Sequence, residues 1–70
     1  MDRQPVRSSN IKSIGYDLKS KILEIEFHDG GIYQYFEVPE TVFDGLMGVP
    51  SHGSYFHRYI KDKYPWAKIR

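Results

Sequence analysis

The amino-acid sequence predicts an α+β fold in which a three-stranded antiparallel meander packs against two short helices. Three features of the hydrophobic pattern lead to this prediction. Apolar and charged residues alternate through positions 21–27, aromatic and apolar residues crowd positions 31–39, and beyond Pro39 apolar residues recur every three or four positions. Alternation is typical of strands, and the longer spacing is typical of helices. The strands should therefore come first along the chain, and the helices should cover the resulting sheet.

The chain of 70 residues is expected to form one small domain. Residues 1–9 include a proline and two serines and little apolar content, so they are predicted to be a flexible N-terminal arm. The domain itself should span residues 10–70. A domain of this size buries only about 60% of the surface of its unfolded chain. Aromatic residues, at 16% of the chain, compensate because each buries a large area.

Composition disfavours several classes of protein. The chain has no cysteine, so it has neither disulfides nor thiolate metal sites. No apolar run approaches the roughly 20 residues that span a bilayer, and the first residues lack the apolar core of a signal peptide. We therefore expect a cytoplasmic protein with no membrane partner.

The first two strands are predicted from alternation. Near residues 11–17, Ile14 and Tyr16 share one face, and Gly15 between them leaves room for a close backbone approach or a bulge. Asp and Ser in the following residues favour a turn. The second strand, residues 21–27, should bury one face and expose a charged face to water. The buried face consists of Leu23, Ile25 and Phe27, and the exposed face consists of Glu24 and Glu26.

The third strand is predicted to be the central one, because residues 31–39 form the densest aromatic run of the chain. A tight turn over residues 28–31 should connect it to the second strand, since Asp-Gly accepts the positive φ angles of a type I′ turn. Both faces of the strand are apolar, so it is either covered on both sides or exposes aromatic rings to a partner. Pro39 should end it, because proline has no N–H group for the sheet.

Two helices are predicted after Pro39. The first should run from Glu40 to about Gly48, with an apolar face of Val42, Phe43, Leu46 and Met47. The second should begin near Ser51 or Ser54 and end at Tyr64-Pro65, because the residue before proline disfavours helical angles. Its buried side should consist of Phe56, Tyr59 and Ile60. Trp66 and Ile69 then either form a short fourth strand or pack back onto the domain.

Charge is distributed unevenly although the net charge is only +1. Residues 1–21 carry five bases and two acids, residues 22–53 carry six acids and no lysine or arginine, and residues 54–70 carry five bases and one acid. Both ends are therefore basic and the middle is acidic. If the ends meet in space, they form the positive patch that a polyanion partner requires.

The chain resembles the KTSC domain, which is named for the C-terminus of some lysyl-tRNA synthetases. The resemblance covers about residues 6–69 and is carried by an aromatic Y-x-Y motif, by a glycine followed by Tyr-Phe, and by a final tyrosine. These residues are Tyr33-Gln34-Tyr35, Phe36, Val38-Pro39, Ser51, Gly53, Tyr55-Phe56, Ile60 and Tyr64. Such domains also occur as small free-standing proteins, and we expect this chain to be of that form. The resemblance implies the fold predicted above and suggests RNA binding.

The leading hypothesis is a small non-catalytic accessory module that binds RNA weakly through the C-terminal basic helix face. Aromatic rings would stack on bases while Lys and Arg neutralise phosphates. The predicted binding residues are Arg58, Lys61, Lys63, Lys68, Arg70, Tyr55 and Trp66. The acidic middle segment should repel RNA from the sheet itself. The family-motif residues Tyr33, Tyr35, Gly53 and Phe56 are interpreted as structural.

Two other hypotheses stay open at this point. An exposed aromatic face or an open sheet edge would make the chain a protein-interaction module. Ser54 and His57 would suit a small hydrolase, but no nucleophile motif surrounds them. Residues 51–54 either cap the second helix or hold a phosphate oxygen. The three histidines lack metal-ligand spacing, so we expect no metal. A chain of 70 residues has little room for a shielded pocket, so we also expect no enzymatic activity and no cofactor.

Overall fold

The computed structural model describes all 70 residues and shows one antiparallel sheet with two helices. The strands are β1 (Gln4–Pro5), β2 (Ile11–Asp17), β3 (Ile22–Phe27), β4 (Ile32–Tyr35) and β5 (Trp66–Lys68), and they lie in the sheet in that order. The helices α1 (Glu40–Gly48) and α2 (His52–Tyr59) come between β4 and β5. This arrangement confirms the predicted α+β meander and the short C-terminal strand. No helix is both long and apolar enough to cross a bilayer.

The middle strand of the sheet is β3, and the aromatic strand β4 lies one position to its side. The prediction that residues 31–39 form the central strand is therefore wrong in position, because β1 adds to the far edge of β2. The strand β4 nevertheless has a partner on each side, since Tyr35 faces Leu23 of β3 and Trp66 of β5. It also ends at Tyr35 rather than at Pro39. Glu37 adopts a φ of 61°, which breaks the extended backbone.

Both predicted hairpin turns form. Asp17 accepts hydrogen bonds from the Lys19 N–H at 3.1 Å and from the Ser20 hydroxyl at 2.7 Å, as the turn composition predicts. At the second turn, the Gly30 N–H donates to the Phe27 carbonyl at 3.0 Å. Only Gly30 has a positive φ there, at 95°, so the turn is not the predicted type I′ turn, which needs two such residues.

Part of the segment predicted to be a flexible arm is paired with the sheet. Gln4 and Pro5 lie opposite Ile14 and Ser13, and the next N–H group donates to a β2 carbonyl at 3.1 Å. A Cβ at Gly15 would lie only 2.5 Å from the Asp2 carbonyl oxygen. Glycine therefore permits the close backbone approach that the sequence predicts here, and the mobility of residues 1–9 stays a prediction.

The core lies between one face of the sheet, called here the inner face, and the two helices. The buried core residues are Ile11, Ile14, Leu23, Ile25, Tyr35, Val38, Leu46, Phe56 and Ile60. Tyr16 of β2 stacks on Phe43 of α1 with ring centroids 4.7 Å apart, and its hydroxyl donates to the Val38 carbonyl at 2.5 Å. Leu23 and Ile25 of β3 and the fully buried Leu46 of α1 belong to the same core, so the predicted apolar faces of these two elements both contribute to it.

The second helix, α2, begins at the predicted place and ends early. The Ser51 hydroxyl oxygen accepts a hydrogen bond from the Ser54 N–H at 3.3 Å, so Ser51 caps the helix. After Tyr59 the N–H groups of Ile60 and Lys61 both donate to the Phe56 carbonyl, which closes the last turn before the predicted end at Tyr64-Pro65. Tyr59 is also 48% exposed rather than buried. Its ring packs against Tyr55 on the flank of α2, 4.7 Å away.

The outer face of the sheet carries a polar network in place of the expected wet face. Glu24 is only 6% exposed because Arg3 of the N-terminal segment covers it and forms an ion pair with it. The Gln34 amide donates to Glu24 at 2.8 Å, and the Ser13 hydroxyl donates to Glu26 at 2.9 Å. Arg3 also donates from Nε to Ser13 at 3.0 Å. The N-terminal segment is thereby tied to the outer face.

Candidate nucleic-acid interface

An open groove of about 1110 Å³ runs between α2 and the inner face of the sheet. Its walls come from residues 7–11, from the β3–β4 hairpin, from the start of α2 and from the segment that follows α2. Basic and aromatic side chains share this lining. They include Arg7, Lys61, Tyr33, Tyr35 and Trp66.

The aromatic wall of the groove follows from the pairing of β4 with β5. Tyr35 lies opposite Trp66 and Tyr33 lies opposite Lys68, so all four side chains belong to the inner face. The ring centroids of Tyr33 and Trp66 are 5.6 Å apart with a tilt of 53°. Trp66 is 53% exposed, so the helices leave this end of the inner face uncovered. The exposed Trp66 ring is available to a flat ligand here, whereas the Lys68 Nζ lies over the Tyr33 ring, 5.9 Å from its centre.

Tyr35 forms part of the floor of the groove. It is only 5% exposed, and its ring packs edge-on against Phe56 of α2 at 5.5 Å. Burial raises the pKa of Tyr35 to about 12, and the neighbouring Tyr33 and Asp62 contribute in the same direction. The hydroxyl therefore stays protonated at neutral pH and is able to donate a hydrogen bond.

Two of the three histidines have structural contacts beside the groove. The His52 Nδ1 lies 2.8 Å from the Leu46 carbonyl oxygen and connects the start of α2 to α1. The His28 Nε2 lies 2.8 Å from the Ser8 carbonyl oxygen and connects the hairpin to the N-terminal segment. His57 lines the groove, and neither Ser51 nor Ser54 bonds to its ring.

The predicted binding residues lie in three different places. Lys61 and Trp66 line the groove together with the four family-motif residues that the sequence analysis interpreted as structural. Lys68 and Arg70 line a smaller hollow of about 300 Å³, which shares Tyr33 with the groove. The remaining three residues lie outside both hollows and are Tyr55, Arg58 and Lys63.

The flank of α2 explains why Tyr55 and Arg58 are separate from the groove. The Tyr55 side chain packs against Gly45 of α1, where a Cβ would overlap the tyrosine ring. The Arg58 guanidinium lies 5.5 Å from the centre of the Tyr59 ring on the same flank. Both side chains therefore point away from Lys61 and Trp66.

The two basic ends of the chain do converge, but on the outer face. Arg3 Nη2 lies 3.6 Å and Arg70 Nη2 lies 3.4 Å from the carboxylate oxygens of Glu26. A hydrogen bond from Ser13 lowers the pKa of Glu26 most, and these two guanidinium groups lower it further. The arginines thus neutralise acidic side chains there instead of forming a free positive patch. Glu24 and Glu26, which belong to the acidic segment that was expected to repel RNA, lie on the face opposite the groove, whereas Asp29 of that segment lines the groove.

The sequence analysis did not assign Arg7 or His28 to the binding site, and it interpreted Tyr33 as structural although this residue also lines the groove. Arg7 belongs to the segment that was assigned to the flexible arm, and no local pattern relates it to α2. A signal for Tyr33 was present, because Trp66 and Lys68 alternate as Tyr33 and Tyr35 do. Two alternating segments that pair would place these four side chains on one face.

These features define a small single α+β domain with a groove that combines aromatic and basic side chains. The sequence model of the KTSC domain matches residues 7–64, so the chain belongs to the KTSC domain family. The crystal structure of a KTSC domain protein from Yersinia pestis is 46% identical and superimposes with a TM-score of 0.96, covering 99% of this chain and 97% of that one. The resemblance that the Y-x-Y motif indicates is therefore confirmed.

The relatives are of two sizes. The lysine–tRNA ligase of Trichormus variabilis is 41% identical over 61 residues, which is 87% of this chain but only 11% of the ligase. A protein of Tsukamurella paurometabola is also 41% identical over 61 residues, and there the match covers 91% of the relative. The chain therefore spans about a tenth of the ligases that it matches and nearly the whole of its small relatives.

Proposed function

We propose that the chain is a small non-catalytic accessory module that binds single-stranded RNA weakly through the groove. The observation that carries the proposal is the shared lining of the groove, where the rings of Tyr33 and Trp66 lie in one hollow with Arg7 and Lys61. Unpaired bases stack on aromatic rings while cations neutralise the phosphates. The proposed binding site thus moves from the C-terminal basic helix face, which the sequence analysis favoured, to the groove beside α2.

Charge does not oppose binding of RNA on the inner face, although it gives little attraction there. Glu24 and Glu26 are paired with arginines on the outer face. Within the groove, Asp29 and Asp62 offset the charges of Arg7 and Lys61. Such a balanced lining gives only a small electrostatic attraction, which is why we propose weak binding. The lysine–tRNA ligase relative supports an RNA partner, because a stretch of that protein resembles this chain.

Fluorescence anisotropy of a labelled single-stranded RNA, measured over a series of salt concentrations, tests the proposal. If Arg7 and Lys61 each neutralise one phosphate, the logarithm of the association constant should fall with the logarithm of salt with a slope of about −1.4. An RNA duplex should bind less well, because its bases are not free to stack. Absence of binding at low salt would refute the proposal.

Neighbouring lysines provide a matched pair of variants for the same assay. Lys61→Gln removes a charge from the groove, so it should weaken binding and make the salt slope shallower by about 0.7. Lys63→Gln removes the same charge from an exposed position outside the groove and should leave both unchanged. If the two substitutions weaken RNA binding equally, the lysines attract RNA through the overall charge of the protein and not through the groove.

The free edge of β5 favours a second candidate function, that of a protein-interaction module. This strand pairs only with β4, and the exposed Trp66 lies at its start. An extended peptide would add to such an edge through main-chain hydrogen bonds. In that case the chain binds no RNA at low salt, and Trp66→Ala removes a protein partner that Lys61→Gln retains.

A further inference from the structure

The Tyr35 side chain is buried, but its hydroxyl has no hydrogen-bond partner in the chain and keeps access to the groove. The residue is only 5% exposed. Every fully enclosed side-chain nitrogen or oxygen of the protein has a hydrogen-bond partner. The unpaired Tyr35 hydroxyl is therefore not fully enclosed, and the space that it contacts is the groove that Tyr35 lines. A polar group at the end of a buried side chain is expected to have a hydrogen-bond partner, either in the protein or in ordered water. An unpaired donor on the floor of a groove therefore marks a place for a ligand atom or a bound water.

We propose that the floor of the groove holds one unpaired nucleotide, whose base accepts a hydrogen bond from the Tyr35 hydroxyl while its ring contacts Tyr33 and Trp66. The proposal rests on the proposed function and names the part of the RNA that the groove recognises. Every nucleobase presents a carbonyl oxygen or a ring nitrogen that is able to accept this bond. The hydroxyl is a selective contact for a base, because the neighbouring rings provide flat apolar surfaces on the same side.

The opposite wall of the groove suits the phosphate of the same nucleotide. The start of α2 lines the groove, and the first N–H groups of a helix have no partners within the helix. Ser51 satisfies the N–H of Ser54, which leaves those of His52 and Gly53 free. Free N–H groups at a helix start favour an anion, and Lys61 adds a positive charge in the same groove. Base and phosphate thus find complementary groups on opposite walls.

The experiment uses the only tryptophan of the chain, Trp66, as the reporter. A base that stacks in the groove should quench its fluorescence. Pentauridylate is titrated into the wild-type protein at low salt, and a linear polyphosphate of equal charge is titrated in parallel. We expect pentauridylate to quench the tryptophan at lower concentration than the polyphosphate does. Equal effects of the two would overturn the role of the base and leave only an anion site.

The variant Tyr35→Phe tests the hydrogen bond itself. It should weaken pentauridylate binding by about 2- to 10-fold, the usual contribution of one hydrogen bond. The melting temperature should not fall, because the hydroxyl has no partner in the chain and the ring still packs on Phe56. Tyr59→Phe is the matched control, since this exposed hydroxyl lies outside the groove, and it should change neither quantity.

The outcomes separate this inference from the proposed function. If the wild-type protein does not bind pentauridylate at low salt, the proposed function fails, and the inference fails with it. If the wild-type protein binds and Tyr35→Phe binds equally well, only the inference fails, and the hydroxyl serves a bound water. If Tyr35→Phe lowers affinity at an unchanged melting temperature while Tyr59→Phe does not, the inference is supported.

Discussion

Replacing Arg3 by alanine should destabilise the fold, although this residue precedes the first strand. Its guanidinium forms the ion pair with Glu24 and lies 3.6 Å from Glu26, and its Nε donates to Ser13. These contacts connect the N-terminal segment to β2 and β3. Without them Glu24 would have no opposite charge beside it.

The size of the effect follows from how far the pair is buried. Exposed ion pairs contribute about 0–1 kcal/mol, whereas breaking a buried pair costs about 3–5 kcal/mol. The side chains of Arg3 and Glu24 are 25% and 8% exposed, so the pair lies between these limits. Gln34 continues to donate to Glu24 after the substitution, which reduces the loss. We expect Arg3→Ala to lower the free energy of unfolding by about 1–2 kcal/mol at neutral pH.

The effect should depend on pH in a definite direction. Burial alone would raise the pKa of Glu24, but hydrogen bonds from Gln34 and Arg3 outweigh burial and lower it. A carboxylate with a lowered pKa stabilises the fold above its unfolded pKa of about 4.3, and this contribution is lost as the pH falls. The difference between the wild-type protein and Arg3→Ala should therefore shrink below about pH 4.

Urea denaturation followed by Trp66 fluorescence measures both quantities. With a slope of about 1 kcal/mol per molar urea for a small domain, the midpoint of Arg3→Ala should fall by about 1–2 M at pH 7. Lys19→Ala removes a charge from an exposed turn and serves as the control. A loss below about 0.5 kcal/mol at pH 7, or the same loss at pH 3.5, would refute this account of the pair.

Two further substitutions test the local structure. Gly15→Ala should destabilise the fold by about 1–3 kcal/mol, because the new Cβ collides with the Asp2 carbonyl. In urea denaturation, the double variant Gly15→Ala with Arg3→Ala should lose less free energy of unfolding than the two single variants lose together. The reason is that each substitution releases the same N-terminal segment. Ser51→Ala should cost about 1 kcal/mol in thermal denaturation by removing the cap of α2, and an unchanged melting temperature would contradict that role.

Local patterns in the sequence predict the elements that depend on neighbouring residues. The strand predicted over residues 21–27 and the bounds of α1 are of this kind, and both are confirmed. The cap at Ser51 is also local, and the structure selects it from the two serines that the sequence offers as the helix start. The strand β1 is different, because two residues cannot show a pattern and their pairing partner lies beyond a loop. The burial of Glu24 depends in the same way on Arg3, which is distant in sequence.

Only part of the candidate site was predictable from the sequence, because its residues also come from distant parts of the chain. The prediction grouped bases and aromatic residues by their closeness in sequence, and Lys61 and Trp66 do share the groove. On α2 itself, however, Tyr55 and Arg58 project from a flank that faces α1 and solvent rather than the groove. The composition of a helix does not specify which side the sheet leaves open. That side depends on the register of β4 with β5, which is a tertiary contact.

The two tyrosines of the Y-x-Y motif have different roles although both belong to the inner face. Tyr35 lies opposite Leu23, deep in the core, and its ring supports Phe56 of α2. Tyr33 lies nearer the hairpin, where it packs against Trp66 and separates the groove from the smaller hollow. In this strand, therefore, Tyr35 supplies a ring to the core and Tyr33 supplies a ring to the surface. The motif connects the stability of the fold to the site, because the ring that closes the core also carries the unpaired hydroxyl.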